Sequence, residues 1–513
     1  MGYEHVGRAG EGLIVTPASS SLTRRVFSGS AQISLASALA RAISLFTIPL
    51  LTRWLGPTAY GVLSLAATIV GLASTLALLG LDLAYARFFL EADHEAQPQV
   101  EAFCWGMVLL SSIVMTLMVS LGWYVLAEQW DFASRHAVSL FLIPAIVLTN
   151  LATLATTRAR LAGAYKRLAF AILISAALAA LFCLGVAAAG VRGPVPLLLS
   201  ALIASLATVM FLGMPSLSSL WFYGHQLSGP RRWQLLRLGF SSAVSAPLYW
   251  LMASSDRWFL AGFSSAGELG IYSLASTLAS TGLILNTAVT LTLFPEASRL
   301  YVHHSADERA QLARLFERLA LALALVWVAI ATLGPPALHL LTAPSFHSGS
   351  VFIPWLAAGV FFYGLAGLGN LPFFLIGKME AVVFFWLLGA AATLGGDALL
   401  VPKLGGLGAA MAQAIAFALL ALLTLSLGRR VLVMPIRWLL LGTAAVTALI
   451  WILIADAWMI SAVWADLVVK SLGWVVFSTL FVALFLPETF RLYGTRLLTG
   501  FGHVWRHGSF KRF

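Results

Sequence analysis

The chain has 513 residues, of which 60% are hydrophobic and only 10% are charged, and its formal net charge is +11. Soluble globular proteins carry roughly 25% charged residues, so this composition excludes a water-soluble fold. The Lys and Arg residues are dispersed along the chain rather than gathered in one basic domain. Membrane topology therefore explains the positive charge better than nucleic-acid binding does.

Fourteen apolar stretches have about the length that a helix needs to cross a hydrocarbon core of about 30 Å. They lie at 27–54, 61–88, 103–127, 137–157, 168–190, 195–213, 239–261, 270–294, 318–341, 351–376, 382–402, 407–427, 437–456 and 468–486. The pattern predicts an all-α polytopic membrane protein of about 14 transmembrane helices, numbered below as spans 1 to 14.

Two short motifs recur at nearly the same distance along the chain. GVLSLA at 61–66 returns as GIYSLA at 270–275, where each copy opens the second span of its half. A glycine pair between the fifth and sixth spans returns in the same way, as Gly190 and Gly193 and then as Gly405 and Gly408. Six spans per half is an even number, so the repeat is parallel, and we predict two six-helix lobes in a V-shaped arrangement plus two C-terminal helices.

The repeat divides the chain into six predicted segments. They are a cytoplasmic N-terminal tail at 1–26, an N-lobe of spans 1 to 6 at 27–213, a cytoplasmic linker at 214–238, a C-lobe of spans 7 to 12 at 239–428, spans 13 and 14 at 437–486, and a basic cytoplasmic tail at 487–513. The linker is rich in Gly, Pro and Ser, which predicts a cytoplasmic hinge between the lobes.

The cations predict the orientation in the membrane. With both termini in the cytoplasm, the tails and inner loops hold 24 Lys and Arg, whereas the outer side holds six. The outer six are Arg53, Arg135, Arg192, Arg257, Lys403 and Lys470. This asymmetry is the one that the positive-inside rule requires.

No enzymatic motif is present. The pair Gly377-Lys378 lacks the upstream glycine and the following Ser or Thr of a phosphate-binding loop, and neither HExxH nor GxSxG occurs. Cys104 and Cys183 lie in apolar runs and suggest neither a disulfide framework nor a metal site. We therefore predict that the chain is not an enzyme and needs no cofactor beyond a coupling ion.

Span 1 carries an arginine inside a polar stripe. Ser30, Ser34, Ser37, Arg41 and Ser44 follow each other at steps of three and four residues, which places them on one helix face. A charged side chain in mid-membrane indicates a functional site. We predict that Arg41, Ser37 and Ser44 bind an anionic substrate in a cavity, because an arginine donates bidentately to phosphate. The alternative is an arginine paired with a carboxylate only to hold the bundle together.

The second span of each lobe ends in an acid and a base near the cytoplasm. Asp82 and Arg87 end span 2, and Glu296 and Arg299 end span 8. One hypothesis is that they pair across the lobes and close an inner gate. The alternative is that they are ordinary charges at the membrane interface.

Two acids lie deep in the C-lobe. Asp256 is 17 residues into span 7 and Asp397 is 15 residues into span 11, so both reach similar depths. We predict that they share one site for H⁺ or Na⁺, with Gln413 of span 12 as a further candidate. The alternative is that Asp256 pairs with a cation such as Arg53 at an outer gate, to which Arg257 would also belong.

Three segments carry a family resemblance. LTRWLGPTAYG at 51–61, SDRWFL at 255–260 and ELGIYSLA at 268–275 resemble the Wzx-type oligosaccharide flippases of the multidrug/oligosaccharidyl-lipid/polysaccharide superfamily. The resemblance covers essentially spans 1 to 12. It implies an exporter that moves an undecaprenyl-pyrophosphate-linked oligosaccharide from the cytoplasmic to the periplasmic leaflet by alternating access.

The resemblance also implies where the protein acts and with what. It indicates that the protein lies in a bacterial inner membrane and takes part in the biosynthesis of lipopolysaccharide or another surface polysaccharide. It further implies a monomer surrounded by membrane lipids, with glycosyltransferases or a polymerase as partners. In related lipid II flippases, acids on spans 7 and 11 belong to an ion site, and Asp256 and Asp397 are comparable by span. A lipid II flippase and a cation-coupled multidrug exporter are the alternatives within the superfamily.

Overall fold

The computed structural model describes residues 17–126, 135–243, 245–301, 305–458, 460 and 462–487, and these form a bundle of α-helices. The helices are α1 Pro17–Ala77, α2 Leu81–Glu91, α3 Gln97–Leu126, α4 Arg135–Leu161, α5 Tyr165–Ala188, α6 Val195–Leu212, α7 Leu217–Gly224, α8 Gly229–Ala243, α9 Ser245–Phe263, α10 Ala266–Ala279, α11 Leu283–Leu300, α12 Ala306–Leu341, α13 Ile353–Gly369, α14 Leu371–Leu375, α15 Met379–Val431, α16 Trp438–Ala457 and α17 Val463–Phe485.

The polytopic all-α fold predicted from the sequence is confirmed. Eleven stretches of the described residues are long and apolar enough to cross a membrane. Two of these are double: the stretch in α1 covers most of predicted spans 1 and 2, joined at Gly56 (φ 73°), and the stretch in α15 covers predicted spans 11 and 12, joined at Gly405 (φ 54°). Such positive φ angles suit glycine, so each residue ends one span and lets the next begin at once. Predicted span 7 corresponds to α8 and α9.

The second span of each lobe is interrupted. Span 2 breaks between α1 and α2, where Leu79 (φ 51°) and Gly80 (φ 64°) are left-handed. Span 8 breaks between α10 and α11, where residues 280–282 form a turn of 3₁₀ helix. These interruptions lie inside stretches that the sequence predicts as continuous.

The predicted linker at 214–238 is more regular than its content of Gly, Pro and Ser suggests. Most of this segment is helical, in α7 and the first part of α8, so span 7 begins at 229 rather than 239. The Ser216 side chain caps α7 by accepting a hydrogen bond from the Ser219 backbone N–H. Leu220, Leu227 and Leu235 pack into the core of the N-lobe, which gives this linker an apolar anchor.

The two last spans pack on the outside of the C-lobe. Helices α16 and α17 contact α12, and the Trp474 indole N–H lies 3.4 Å from the Leu325 carbonyl. At the other end of the chain, α1 begins at Pro17, ten residues before predicted span 1. The parts of the predicted tails at 1–16 and 488–513 lie outside the described residues. The inner and outer ends of the bundle are named below by the predicted orientation.

Candidate functional site

A cavity of about 910 Å³ lies between the two lobes. Its lining comes from spans 1, 2, 5 and 6 of the N-lobe and from spans 7, 8, 10 and 12 of the C-lobe. Serine and threonine side chains are frequent on both sides, and those of the N-lobe are Ser44, Thr47, Ser64, Thr68, Ser175 and Ser200. A lining of this kind offers many hydroxyl groups to a polar ligand while keeping the walls uncharged.

Arg257 carries the only formal charge among the described residues that line this cavity. Its Nη1 donates to Asp256 Oδ1 at 3.1 Å and to the Ala253 carbonyl at 2.9 Å. Its Nη2 donates to Ser276 Oγ, and its Nε donates to Ser64 Oγ, both at 3.1 Å. Since Ser64 belongs to the N-lobe, this arginine connects the two lobes.

The guanidinium of Arg257 keeps donor capacity for a ligand. A guanidinium has five N–H groups, and the bonds above use four of them. The side chain remains 15% exposed in the cavity wall. Its Cζ also lies 5.9 Å from the centroid of the Tyr272 ring. The arginine is thus oriented by protein partners yet accessible to an anion that enters the cavity.

Asp256 holds Arg257 in place. The Asp256 side chain is 1% exposed. Its Oδ1 accepts from the Arg257 backbone N–H and from Nη1, and its Oδ2 accepts from the Tyr272 hydroxyl. The alternative that Asp256 pairs with Arg53 does not hold in this structure, since Arg53 is exposed and Arg257 is the partner. Arg257, counted on the outer side in the sequence, lies in the cavity wall instead.

Asp397 lies next to this pair, in the interior of the C-lobe. Its side chain is fully buried, and Oδ2 accepts a hydrogen bond of 2.7 Å from Ser255 Oγ. Oδ1 has no hydrogen-bond partner among the described residues. Because Ser255 adjoins Asp256, spans 7 and 11 bring the two acids into one neighbourhood, as their predicted depths require. A buried, incompletely bonded carboxylate is costly unless a proton or a cation neutralises it.

Gln413 does not belong to the hydrogen-bond network of the two acids. It lines the cavity, and no hydrogen bond joins it to Asp256 or Asp397 among the described residues. Its side-chain oxygen instead lies beside Gly359 of α13. The structure therefore places Gln413 as a cavity residue and not in the ion site that the sequence suggested.

Only part of the polar stripe on span 1 faces the cavity. Ser44 lines it, and its hydroxyl donates to the Ala40 carbonyl at 3.2 Å. Arg41 is exposed beyond the lining, without a hydrogen bond or ion pair in the described part of the chain, and Ser37 does not line the cavity either. No carboxylate of the described residues pairs with Arg41 in this conformation, as the alternative would require.

The charges expected to form an inner gate pair within their own helices. Arg87 binds Glu91 at 2.8 Å, and Arg299 lies 3.9 Å from Glu296. Asp82 has no hydrogen bond or ion pair with any described residue. The expected cross-lobe pairs are therefore absent from this conformation among the residues that the structure describes.

The outer end of the cavity is closed by backbone packing between the lobes. A Cβ built on Gly61 would lie 1.9 Å from the Ala266 carbonyl oxygen, and one built on Gly270 would lie 1.8 Å from the Pro57 carbonyl oxygen. The two glycines that open the repeated motif are thus in contact with each other's helix. Only residues without a side chain allow this approach.

Two further contacts seal the same end. The Ala343 backbone N–H donates to Thr52 Oγ1 at 3.2 Å, and the rings of Tyr60 and Phe346 meet edge to face at 5.5 Å. Both contacts join the N-lobe to the segment of 3₁₀ helix at 344–352 and the residue before it. They have no signature in the sequence, because the partners are almost 300 residues apart.

Comparisons with known proteins agree with this architecture. A family model described as "polysaccharide biosynthesis protein" matches residues 26–301. A search of curated protein sequences gives no match.

Solved structures show the same fold. The lipid II flippase MurJ in an inward closed conformation superposes with a TM-score of 0.66 at 11% identity, covering 88% of this chain and 98% of that one. An inward-facing multidrug resistance transporter of the MATE family, in the MOP superfamily, gives 0.58 at 14% identity over 78% and 94%. A Vibrio cholerae MATE transporter gives 0.52 at 15% identity over 80% and 98%.

Proposed function

The chain belongs to the polysaccharide biosynthesis protein family, whose model matches more than half of it, and we propose that it moves undecaprenyl-pyrophosphate-linked oligosaccharide units from the cytoplasmic to the periplasmic leaflet. The sequence resemblance to exporters of the MOP superfamily is confirmed, and the chain has the membrane fold of flippases and transporters. The proposal adds the substrate, the direction and the bacterial inner membrane, with both termini in the cytoplasm.

The observation that carries this proposal is a hydroxyl-lined cavity whose one charged lining residue, among those described, is Arg257. A pyrophosphate is anionic, so the charge of Arg257 attracts it and the remaining N–H of the guanidinium can donate to a phosphate oxygen. A glycan presents many hydroxyl groups, which serine and threonine side chains match as donors and acceptors. A cavity built for cationic drugs would instead present a carboxylate.

The two ends of the cavity support the proposal of alternating access. In this conformation the outer end is closed by Gly61 and Gly270, whereas the ion pairs of Arg87 and Arg299 with described residues lie within their own helices. In the opposite state we expect the glycine contact to open and the inner charges to pair across the lobes. The two lobes would then rock about the substrate as rigid bodies.

The membrane potential favours the proposed direction. Moving two negative charges outward across an inside-negative membrane is favoured by about 4.6 kcal/mol per 100 mV. Coupling to H⁺ or Na⁺ is then needed to return the empty carrier rather than to drive the substrate. Asp397 and Asp256 are the proposed ion site, because Asp397 is buried with one oxygen that has no hydrogen-bond partner among the described residues.

Transport of purified substrates by the reconstituted protein tests the proposed function. We expect proteoliposomes to translocate an undecaprenyl-pyrophosphate-linked oligosaccharide, and to move neither lipid II nor a cationic dye at a comparable rate. Preferential translocation of lipid II would support the lipid II flippase instead, and uptake of the dye would support a drug exporter. Glycosyltransferase and polymerase genes beside its own would point to the same substrate class and to the proposed partners of a monomeric flippase.

The proposed ion site gives a separate prediction. We expect Asp397→Asn to remove the dependence of transport on an imposed H⁺ or Na⁺ gradient, because the amide cannot release a proton or offer a charged ligand. The measurement compares transport rates with and without each gradient in proteoliposomes. Ser255→Ala is the matched control, since it removes the hydrogen bond to Asp397 and keeps the carboxylate. Unchanged gradient dependence in the asparagine variant would exclude Asp397 from ion coupling.

Arg41 remains a candidate for first contact with the substrate. It lies one residue from Ala40 of the cavity lining, it is exposed, and it makes no ion pair with a described residue. We expect Arg41→Ala to abolish export of surface glycan at an unchanged protein level, and Arg41→Lys to restore part of it. Surface glycan is measured by gel electrophoresis in a strain that lacks the native flippase. Normal glycan in the alanine variant would contradict this role.

A further inference from the structure

Aromatic side chains from three spans form one surface on the C-lobe side of the cavity. They are Tyr249 of α9, Tyr363 of α13 and Phe417 of α15, and all three line the cavity. The ring centroids of Tyr249 and Tyr363 are 5.6 Å apart, and those of Tyr363 and Phe417 are 5.5 Å apart. This surface is called the aromatic wall below.

The rings of the aromatic wall are held in fixed orientations. Trp386, which does not line the cavity, packs its ring 6.0 Å from that of Tyr249 and 6.2 Å from that of Tyr363. Both contacts are edge to face, which is a favourable geometry for aromatic pairs. A ligand that stacks on the wall would therefore lose little binding free energy to the ordering of these rings, because the fold already holds them in place.

Two hydroxyls of the aromatic wall and the amide of Gln413 are without hydrogen-bond partners in the described structure. Neither the Tyr249 hydroxyl nor the Tyr363 hydroxyl makes a hydrogen bond with a described residue, and neither is sealed away from the cavity. The same is true of the Gln413 amide. Buried tyrosines usually bond their hydroxyls, as Tyr272 does to Asp256. Three accessible donor and acceptor groups therefore surround apolar ring faces.

The N-lobe side of the cavity offers no row of contacting aromatic rings, and Tyr60 is its one aromatic lining residue among those described. The part lined by span 5 consists largely of small side chains, including Ala176, Ala179 and Ala180. Small residues leave space across from the aromatic wall without competing for its polar groups. The cavity is thus asymmetric, with room on one side and a stacking surface on the other.

The aromatic wall has a defined position relative to Arg257. Tyr249 and Arg257 are separated by eight residues on α9, so they share a helix face and lie about 12 Å apart along its axis. Ala253, between them, also lines the cavity. A pyrophosphate on Arg257 would place the sugars next to it within reach of Tyr249 and Tyr363.

We infer that the aromatic wall is a sugar-binding subsite for the pyranose rings next to the pyrophosphate. This inference rests on the proposed function. A pyranose ring has an apolar C–H face that stacks on aromatic rings and a rim of hydroxyls that Tyr249, Tyr363 and Gln413 can bind. A polyprenyl tail would stack on the same rings but would leave all three polar groups without partners.

Binding to the lipid diphosphate with and without a sugar tests this subsite. The full-length protein in nanodiscs is titrated with undecaprenyl diphosphate and with undecaprenyl diphosphate that carries one N-acetylglucosamine or one glucose. We expect the wild type to bind at least one sugar-bearing lipid about tenfold more tightly than the bare lipid. The double variant Tyr249→Leu/Tyr363→Leu should bind both kinds of lipid with the affinity that the wild type has for the bare one.

Two controls separate the subsite from the proposed function. Tyr249→Phe/Tyr363→Phe keeps the rings and removes the hydroxyls, so it should retain part of the preference for sugar. Arg257→Gln should weaken the binding of all these lipids by a similar factor. If the wild type binds neither lipid, the proposed function fails. If it binds all of them equally, or if the leucine variant weakens bare and sugar-bearing lipids alike, the sugar subsite is wrong while the proposed function stands.

Discussion

Arg257→Gln is expected to lower transport of the lipid-linked glycan about a hundredfold. Hydrogen bonds to a charged partner contribute about 1.5 to 3 kcal/mol each, and 1.4 kcal/mol corresponds to a factor of ten. Arg257 is the one charged lining residue of the cavity among those described, so no neighbouring cation replaces it. Arg257→Lys should retain a small part of the rate, because an ammonium keeps the charge but not the planar fork.

Arg257→Gln is also expected to destabilise the fold, and a second variant separates this effect from the direct effect on transport. Removing Arg257 leaves Asp256 buried without its cation, and breaking a buried ion pair costs about 3 to 5 kcal/mol. The double variant Asp256→Asn/Arg257→Gln removes both charges together, so its thermal unfolding in detergent should approach that of the wild type. We expect transport to remain lost in this double variant. A well-folded double variant with normal transport would exclude Arg257 as the substrate cation.

Gly270→Ala is expected to prevent closure of the outer end and to abolish transport. A methyl group at this position would lie 1.8 Å from the Pro57 carbonyl oxygen, and backbone atoms cannot move away as a flexible side chain can. A state with the outer end open is free of this overlap, because the contact joins the two lobes. The variant should therefore fold and accumulate with its cavity open to the periplasm.

Labelling from outside the cell measures this shift directly. A single cysteine is introduced as Ser200→Cys after Cys104 and Cys183 have been replaced, and a membrane-impermeant maleimide is added to whole spheroplasts. We expect little labelling without the glycine substitution and strong labelling with Gly270→Ala. Gly262→Ala is the matched control, because a Cβ there meets no atom within 4 Å. Labelling and transport like those of the control would contradict the proposed closure.

The partner glycine gives an internal check on the same idea. A Cβ at position 61 would lie 1.9 Å from the Ala266 carbonyl oxygen, so Gly61→Ala should reproduce the labelling of Gly270→Ala. The combined variant should be no more defective than either single one, since both substitutions remove one contact. Additive losses of expression and stability would show instead that the glycines matter for folding rather than for closure.

The spans and the parallel repeat were predictable because they depend on local properties of the chain. Apolar length determines whether a segment can cross the bilayer, and this property needs no knowledge of neighbours. The breaks inside spans 2 and 8 and the helices at 214–238 were not predicted, because packing against other spans stabilises them. The repeated GVLSLA and GIYSLA motifs were recognised, but their reason, contact between Gly61 and Gly270, required the packed lobes.

The candidate site was predictable only in part. Depth along a helix is proportional to residue number, so the approach of Asp397 to the neighbourhood of Asp256 could be predicted. The partner of Asp256 could not, because Arg257 turns back toward Ala253 and Ser64 instead of extending to the outer surface. Nor could the sequence indicate that Ser44 lines the cavity whereas Arg41 does not.

Composition and periodicity are properties of each residue and its near neighbours, and they were sufficient for the membrane fold and the existence of polar faces. Which polar face meets the cavity depends on the rotation of every helix against the others. That rotation is set by packing between residues that are far apart in the chain, such as Ser64 with Arg257 and Gly61 with Gly270. Only the assembled lobes therefore identify Arg257 as the charged group of the cavity.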